Sequence, residues 1–248
     1  MTGPEQLLVF GAGLAAGTIN AIVGSGTLIT FPILVALGYP PVVANVSNTV
    51  GLVPGSLSGV VGYRRELSGQ GPRLLRLGSA SLLGALTGAT LLLVLPSGAF
   101  RAIVPALIAV ACVLVVVQPA LTRRLPRREG APANGGLLLL AGVYGAGVYG
   151  GYFGAGQGVL LLALLSLGLT DHLQRINAAK NALAGFVNLV AALVFVVVAE
   201  IAWAPALLIA AGSTVGGQVG AKVGRRLPSG ALRAVVVVVG VVAIARLA

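Results

Sequence analysis

The chain is poor in charge, and poorest in negative charge. Five Asp and Glu stand against sixteen Lys and Arg, and charged residues make up 8% of the 248 positions. Soluble domains carry about 25% charged residues, so a soluble domain is excluded. Histidine and cysteine occur once each. His172 and Cys112 cannot supply a metal's ligand set, and no cofactor or metal is expected. A lone cysteine forms no intrachain disulfide, and Cys112 reads as a small side chain packing helices in an apolar run. No acidic residue lies deep in an apolar run, because Glu5, Glu66, Glu129, Asp171 and Glu200 all fall in loops or at segment ends. The carboxylate that usually carries a proton or cation through a pump is therefore missing from the spans. Asp171 or Glu200 could still bind a proton at a gate, which leaves the coupling ion open. Met1 to Gln6 lacks a basic region, and no signal peptide is expected.

What the chain has is apolar length. It is 57% hydrophobic, with a mean hydropathy of +1.03. Runs long enough to cross a bilayer recur, which predicts an all-α polytopic membrane protein with the lipid bilayer as its surroundings. The net charge of +11 does not point to nucleic acid. The basic residues sit in short gaps at 64–76, 123–128 and 222–226, the pattern that orients membrane proteins with those loops in the cytoplasm. Anionic lipid headgroups are a secondary partner.

One stretch occurs twice. Gly13-Leu-Ala-Ala-Gly17-Thr-Ile-Asn20-Ala-Ile-Val-Gly24-Ser25-Gly26-Thr27 leads into an apolar run that ends at Gly38. Gly142-Val-Tyr-Gly-Ala-Gly147 leads to Gly154-Ala155-Gly156-Gln157-Gly158 and a run that ends at Gly168. A shift of about 130 positions superposes Gly24, Gly26 and Gly38 on Gly154, Gly156 and Gly168. The expected organisation is a first transmembrane repeat at 1–121, a basic cytoplasmic linker at 122–134 and a second repeat at 135–248. Each repeat would be a Gly-broken hairpin or kinked helix followed by three transmembrane helices. Counting crossings between the basic loops makes each broken segment return to its own side and makes the repeats inverted. The helix after Pro41 would run inward, and the one after Asp171 outward. Asp171 and Gln174 have the spacing of a capping box at that helix start, and Pro54 reads as a kink.

Paired Gly-interrupted segments in two halves point to a transporter's binding site. Irregular backbone at membrane depth survives only inside protein or along a cavity. Each break would free N–H groups at the start of a half-helix, where anions bind. Ser25, Thr27 and Gln157 add donors to Gly24, Gly26, Gly154 and Gly156. Gly13, Gly17, Gly147 and Gly151 read instead as close-packing residues of helix faces. The helices after the breaks carry Asn45, Ser47, Asn48 and Thr49 in one half and Asn177, Lys180, Asn181 and Asn188 in the other. With Asn20, these polar side chains should face the interior. They could line a site or simply join helices by hydrogen bonds. Lys180 lies roughly 12–13 Å into its helix. It either snorkels to the surface or faces an anionic substrate. A Ser25–Lys180 hydrolase dyad is conceivable, but no sequence signal brings the two together.

Gly17-Thr-Ile-Asn20-Ala-Ile-Val-Gly24-Ser-Gly26-Thr-Leu-Ile-Thr-Phe-Pro32, then Gly38-Tyr-Pro-Pro41-Val-Val-Ala44-Asn45, Asn48-Thr49 and Gly62-Tyr63-Arg64-Arg65 resemble the sulfite exporter TauE/SafE family of prokaryotic membrane permeases. The second break and Asn181 repeat the pattern more loosely. Gln157 stands where a third glycine is common, and no proline matches Pro32. The resemblance implies a multi-pass cell-membrane transporter of a small anion, often a sulfur oxyanion or organosulfonate, and not an enzyme. A channel-like facilitator is the near alternative, and a membrane-embedded enzyme or scaffold the distant one. A homodimer is compatible with everything above.

Overall fold

A computed structural model describes residues 1–124, 134–223 and 229–247. Most of the expected linker at 122–134, and Arg225 and Arg226 of the last basic loop, lie outside the described residues. The described chain is helical, without strands. Its helices are α1 (Gly3–Ile22), α2 (Thr27–Ala36), α3 (Pro41–Gly62), α4 (Arg64–Leu67), α5 (Gly71–Val94), α6 (Ser97–Arg124), α7 (Leu137–Tyr152), α8 (Gln157–Gly168), α9 (Leu173–Val198), α10 (Trp203–Val223) and α11 (Ser229–Leu247). Four helices have segments long and apolar enough to cross a bilayer: Gly3–Ile22, Gly71–Val94, Ser97–Gln118 and Leu173–Val198. α3 and α10 have comparable length, 22 and 21 residues, but Gly, Ser, Thr and Asn dilute their apolar character.

Polarity is distributed inside out. Asn48, Ser47, Lys180 and Ser213 are wholly buried, whereas Leu75, Leu138 and Val197 are more than three-quarters exposed. In water such a surface would aggregate. In a bilayer it meets a solvent as apolar as itself, and burial no longer drives helices together. Close backbone approach does so instead. A Cβ on Gly17 would lie 2.3 Å from Ser213 O, and one on Gly88 would lie 2.0 Å from Val148 O. A Cβ on Gly13, Gly147 or Gly151 would likewise lie 2.8, 2.8 or 2.4 Å from neighbouring backbone, so these glycines pack helices as expected.

The contacts fix helix directions. Gly13 and Gly17 of α1 lie on Ile209 and Ser213 of α10, so these helices run parallel. Gly51, Gly55 and Gly62 of α3 lie on Ala206, Ser213 and Ala221, so α3 runs the same way. With α1 and α3 both parallel to α10, the chain must return between them, and α2 is the return limb. At the turn Gly26 packs back against Ala16 and Asn20. Likewise Ser81 and Ala85 of α5 lie on Gly147 and Gly151 of α7. Gln70, just before α5, and Gly78 of α5 meet Arg175 and Phe186 of α9. Hence α7 and α9 both parallel α5, with α8 as return limb. α3 and α9 are antiparallel: Ser56 meets Asn188, while Ser47, one helical end away, takes the N–H of Ala202 just past α9.

One local expectation is corrected. α9 begins at Leu173 with His172 as N-cap, and no capping-box bond forms. Asp171 is occupied elsewhere, by Arg73 at 2.8 Å and Arg175 at 3.0 Å. The α3 helix continues through Pro54 to Gly62.

Candidate functional site

Both turns break for the same local reason. Gly24, Gly154 and Gly156 adopt φ of +88°, +78° and +75°, a left-handed backbone that side chains resist. Each turn ends one helix with carbonyls unsatisfied and begins another with N–H groups unsatisfied. At the first turn, bonds into α2 begin with Leu28 N–H to Ser25 O and Ile29 N–H to Gly26 O, leaving the N–H groups of Gly26 and Thr27 ahead of the ladder. The two turns meet. Gly158 donates its N–H to Gly24 O at 3.0 Å, and their backbones are so close that a Cβ on either would lie 2.4 Å from the other's Cα. Phe31 of α2 packs edge-on against Phe153 at 5.2 Å, adding an aromatic clasp.

Each outgoing helix end is held by a polar side chain from the other half of the chain. Asn45 of α3 donates to Tyr152 O, at the end of α7, at 3.0 Å. The end of α1 receives more. Asn181 and Asn177 donate to Ala21 O at 3.1 and 3.4 Å. Lys180 Nζ lies 3.1 Å from Asn20 O and 3.3 Å from Ala21 O. Three donors thus converge on one carbonyl oxygen, which has two lone pairs. Lys180 is wholly buried, so its amine does not reach the surface as a snorkelling side chain would. The negative end of the α1 dipole favours a cation there. The ion pairs of Asp171, with Arg73 and with Arg175, do not include Lys180.

Several buried polar atoms around the turns have no partner: Ser25 Oγ, Gln157 Nε2, Asn45 Oδ1, Asn177 Oδ1 and Tyr152 Oη. Buried polar groups are normally satisfied, so these atoms are exceptions to the rule. The remaining expected residues divide. Asn48 is tied within its own half, to Thr30 and, at 3.4 Å, to Thr27 Oγ1. Gly26 has ordinary helical backbone, φ −58°. Its missing side chain makes room for Ala16 O, 2.4 Å from where a Cβ would be. Gly156 faces Ala111 of α6. Asn20 contributes its carbonyl. Ser25 and Lys180 are not hydrogen-bonded, so no hydrolytic dyad forms. Tyr152 and Thr30 were not among the expected residues. The position of Tyr152, two before Gly154 as Ile22 is two before Gly24, was the available signal.

The chain resembles three curated bacterial proteins over most of its length. The Escherichia coli K12 protein named probable membrane transporter protein YfcA is 27% identical over 258 aligned positions, covering 100% of this chain and 91% of that protein. A Haemophilus influenzae probable membrane transporter protein is 28% identical, covering 87% of this chain and 83% of its own length. The probable membrane transporter protein ORF9 of a Sinorhizobium species is 28% identical, with 86% and 81% covered. No solved structure matches. The family model described as sulfite exporter TauE/SafE matches residues 9–247, and on that extent the chain belongs to the sulfite exporter TauE/SafE family.

Proposed function

We propose that this multi-pass membrane transporter carries a small anion, a sulfur oxyanion or organosulfonate, by a secondary-carrier mechanism, and that the anion binds where the two turns meet. The observation that carries the reading is the excess of buried donors. Lys180, Asn177 and Asn181 crowd the end of α1, while Ser25 Oγ and Gln157 Nε2 stand unpartnered. A tetrahedral oxyanion accepts several hydrogen bonds at once and supplies the negative charge that the spans lack. The N-termini of α2 and α8 favour the same ligand.

Alternating access would come from two inverted repeats, 1–121 and 135–248, joined by the cytoplasmic linker 122–134. Support comes from an exchange of helices. Replacing α1, α2, α3, α5 and α6 by α7, α8, α9, α10 and α11, and the reverse, turns the α1–α10 packing into α7–α5, α3–α10 into α9–α5, and α2–α11 into α8–α6. All of these are packed pairs, and α3–α9 and α6–α11 map onto themselves. The end that gathers Arg64, Arg73, Arg175 and Lys222 would face the cytoplasm.

Uptake of labelled thiosulfate, sulfate and sulfoacetate into liposomes holding the purified protein tests the reading. It should saturate, and it should accelerate when the same anion is loaded inside. Non-saturating flux without counterflow would replace the carrier by a channel-like facilitator, and no flux of any anion would overturn the reading.

A further inference from the structure

Lys180 is held by two hydrogen bonds, and that number matters. Its Nζ lies 3.1 Å from Asn20 O and 3.3 Å from Ala21 O, in full burial. A neutral amine has two N–H groups, and both would be engaged. An ammonium has a third, and Nζ makes no third bond among the described residues. No counter-charge comes from the surrounding elements. α2, α3 and α8 contain no Asp or Glu, and Glu5 stands at the far end of α1. α4 carries Arg64, Arg65 and Glu66, α5 carries Arg73 and Arg76, and α7 carries Tyr144, Tyr149 and Tyr152. Tyr63 is buried in one cluster with Ala21 and Ala178, and Lys222 ends α10. Within α9 the other charge is Arg175, paired with Asp171. None of these groups bonds the Lys180 amine.

We propose that Lys180 takes up one proton with each anion, so that the carrier moves proton and anion together. This rests on the anion-carrier reading above. In the loaded site the third N–H of the ammonium points to the anion, and the two charges compensate. When the anion leaves, a lone ammonium in a water-poor interior is costly. The group then releases its proton to the side just opened, R–NH3+ becoming R–NH2 and H+. The neutral amine keeps both bonds to the end of α1, so the empty carrier can turn over without a buried charge. One monovalent anion with one proton transfers no net charge, and a divalent anion with one proton transfers one negative charge.

The test uses wild-type protein in liposomes with a pH-sensitive dye inside and the membrane potential clamped. Thiosulfate or sulfate is the probe, because neither takes up a proton near neutral pH. An inward anion gradient should acidify the interior, with about one proton per anion. Anion affinity should weaken about tenfold per pH unit on the alkaline side. Lys180→Arg, which stays protonated, should retain anion-for-anion exchange and lose net uptake. Anion uptake with no change of interior pH, or an affinity flat with pH, would overturn proton coupling while leaving anion carriage standing. Absence of any anion flux would remove both. Should Lys180→Arg fail to fold, the wild-type proton count and pH profile decide.

Discussion

Gly24 and Gly38 share a left-handed backbone, φ +88° and +90°, but not a neighbourhood. Nothing lies within 4 Å of a Cβ on Gly38, whereas one on Gly24 would lie 2.4 Å from Gly158 Cα. Alanine at Gly38 should cost only conformational strain, about 1–2 kcal/mol. Alanine at Gly24 adds the forced separation of the two turns. Melting of the purified variants should find Gly38→Ala within a few degrees of wild type and Gly24→Ala far below it or unfolded. Equal melting temperatures would mean that the turns do not depend on their contact. The importance of Gly24 was legible in the recurring Gly-x-Gly, but its partner was not. A fixed offset pairs Gly24 with Gly154, the equivalent position, while the fold sets it against Gly158. Contact is three-dimensional, and no periodicity reports it. The same limit hid why Gly26 is glycine: its neighbour Ala16 O becomes visible only once the chain has turned back.

Among the elements, helix existence and approximate extent were readable from apolar length and from Gly and Pro punctuation. Pro41 opens α3, and Gly168 ends α8, as expected. The four-residue α4 and the role of Asp171 were not readable. Asp171 looked like a cap because of its spacing to Gln174, yet it ties the start of α9 to Arg73 of α5. Burial pushes its carboxyl pKa up, but hydrogen bonds from Arg73, the His172 N–H and Arg175 outweigh that and hold it below the ordinary carboxylate range. Its contribution to stability is therefore complete above that range and is lost as pH falls through the depressed value. Asp171→Asn should destabilise the protein by about 1.5–3 kcal/mol near neutral pH and flatten that part of the acid dependence. Melting curves of wild type and variant over a falling pH series check this. Parallel curves would show that the pair contributes nothing.

At the scale of the molecule, the candidate site exists only between the halves. Lys180, Asn177 and Asn181 come from the second half and act on the end of α1 in the first. Asn45 comes from the first half and acts on the end of α7 in the second. The sequence placed the asparagines inside because asparagine is costly against lipid, and left Lys180 between a snorkelling side chain and a site residue. It could not say that they would cap broken helices across the midline, since that depends on how α3 and α9 cross. The proposed transport cycle depends above all on the buried Lys180 amine being the counter-charge of the transported anion. Its most direct test is anion affinity of detergent-purified Lys180→Gln, read by titration with thiosulfate, sulfate and sulfoacetate after a check of folding. Glutamine keeps hydrogen-bonding capacity and removes the charge. Loss of one charge-assisted contact, about 1.5–3 kcal/mol, predicts affinity at least roughly tenfold weaker than wild type. Wild-type affinity in a folded Lys180→Gln protein would contradict the claim and leave Lys180 as a cap on α1 alone.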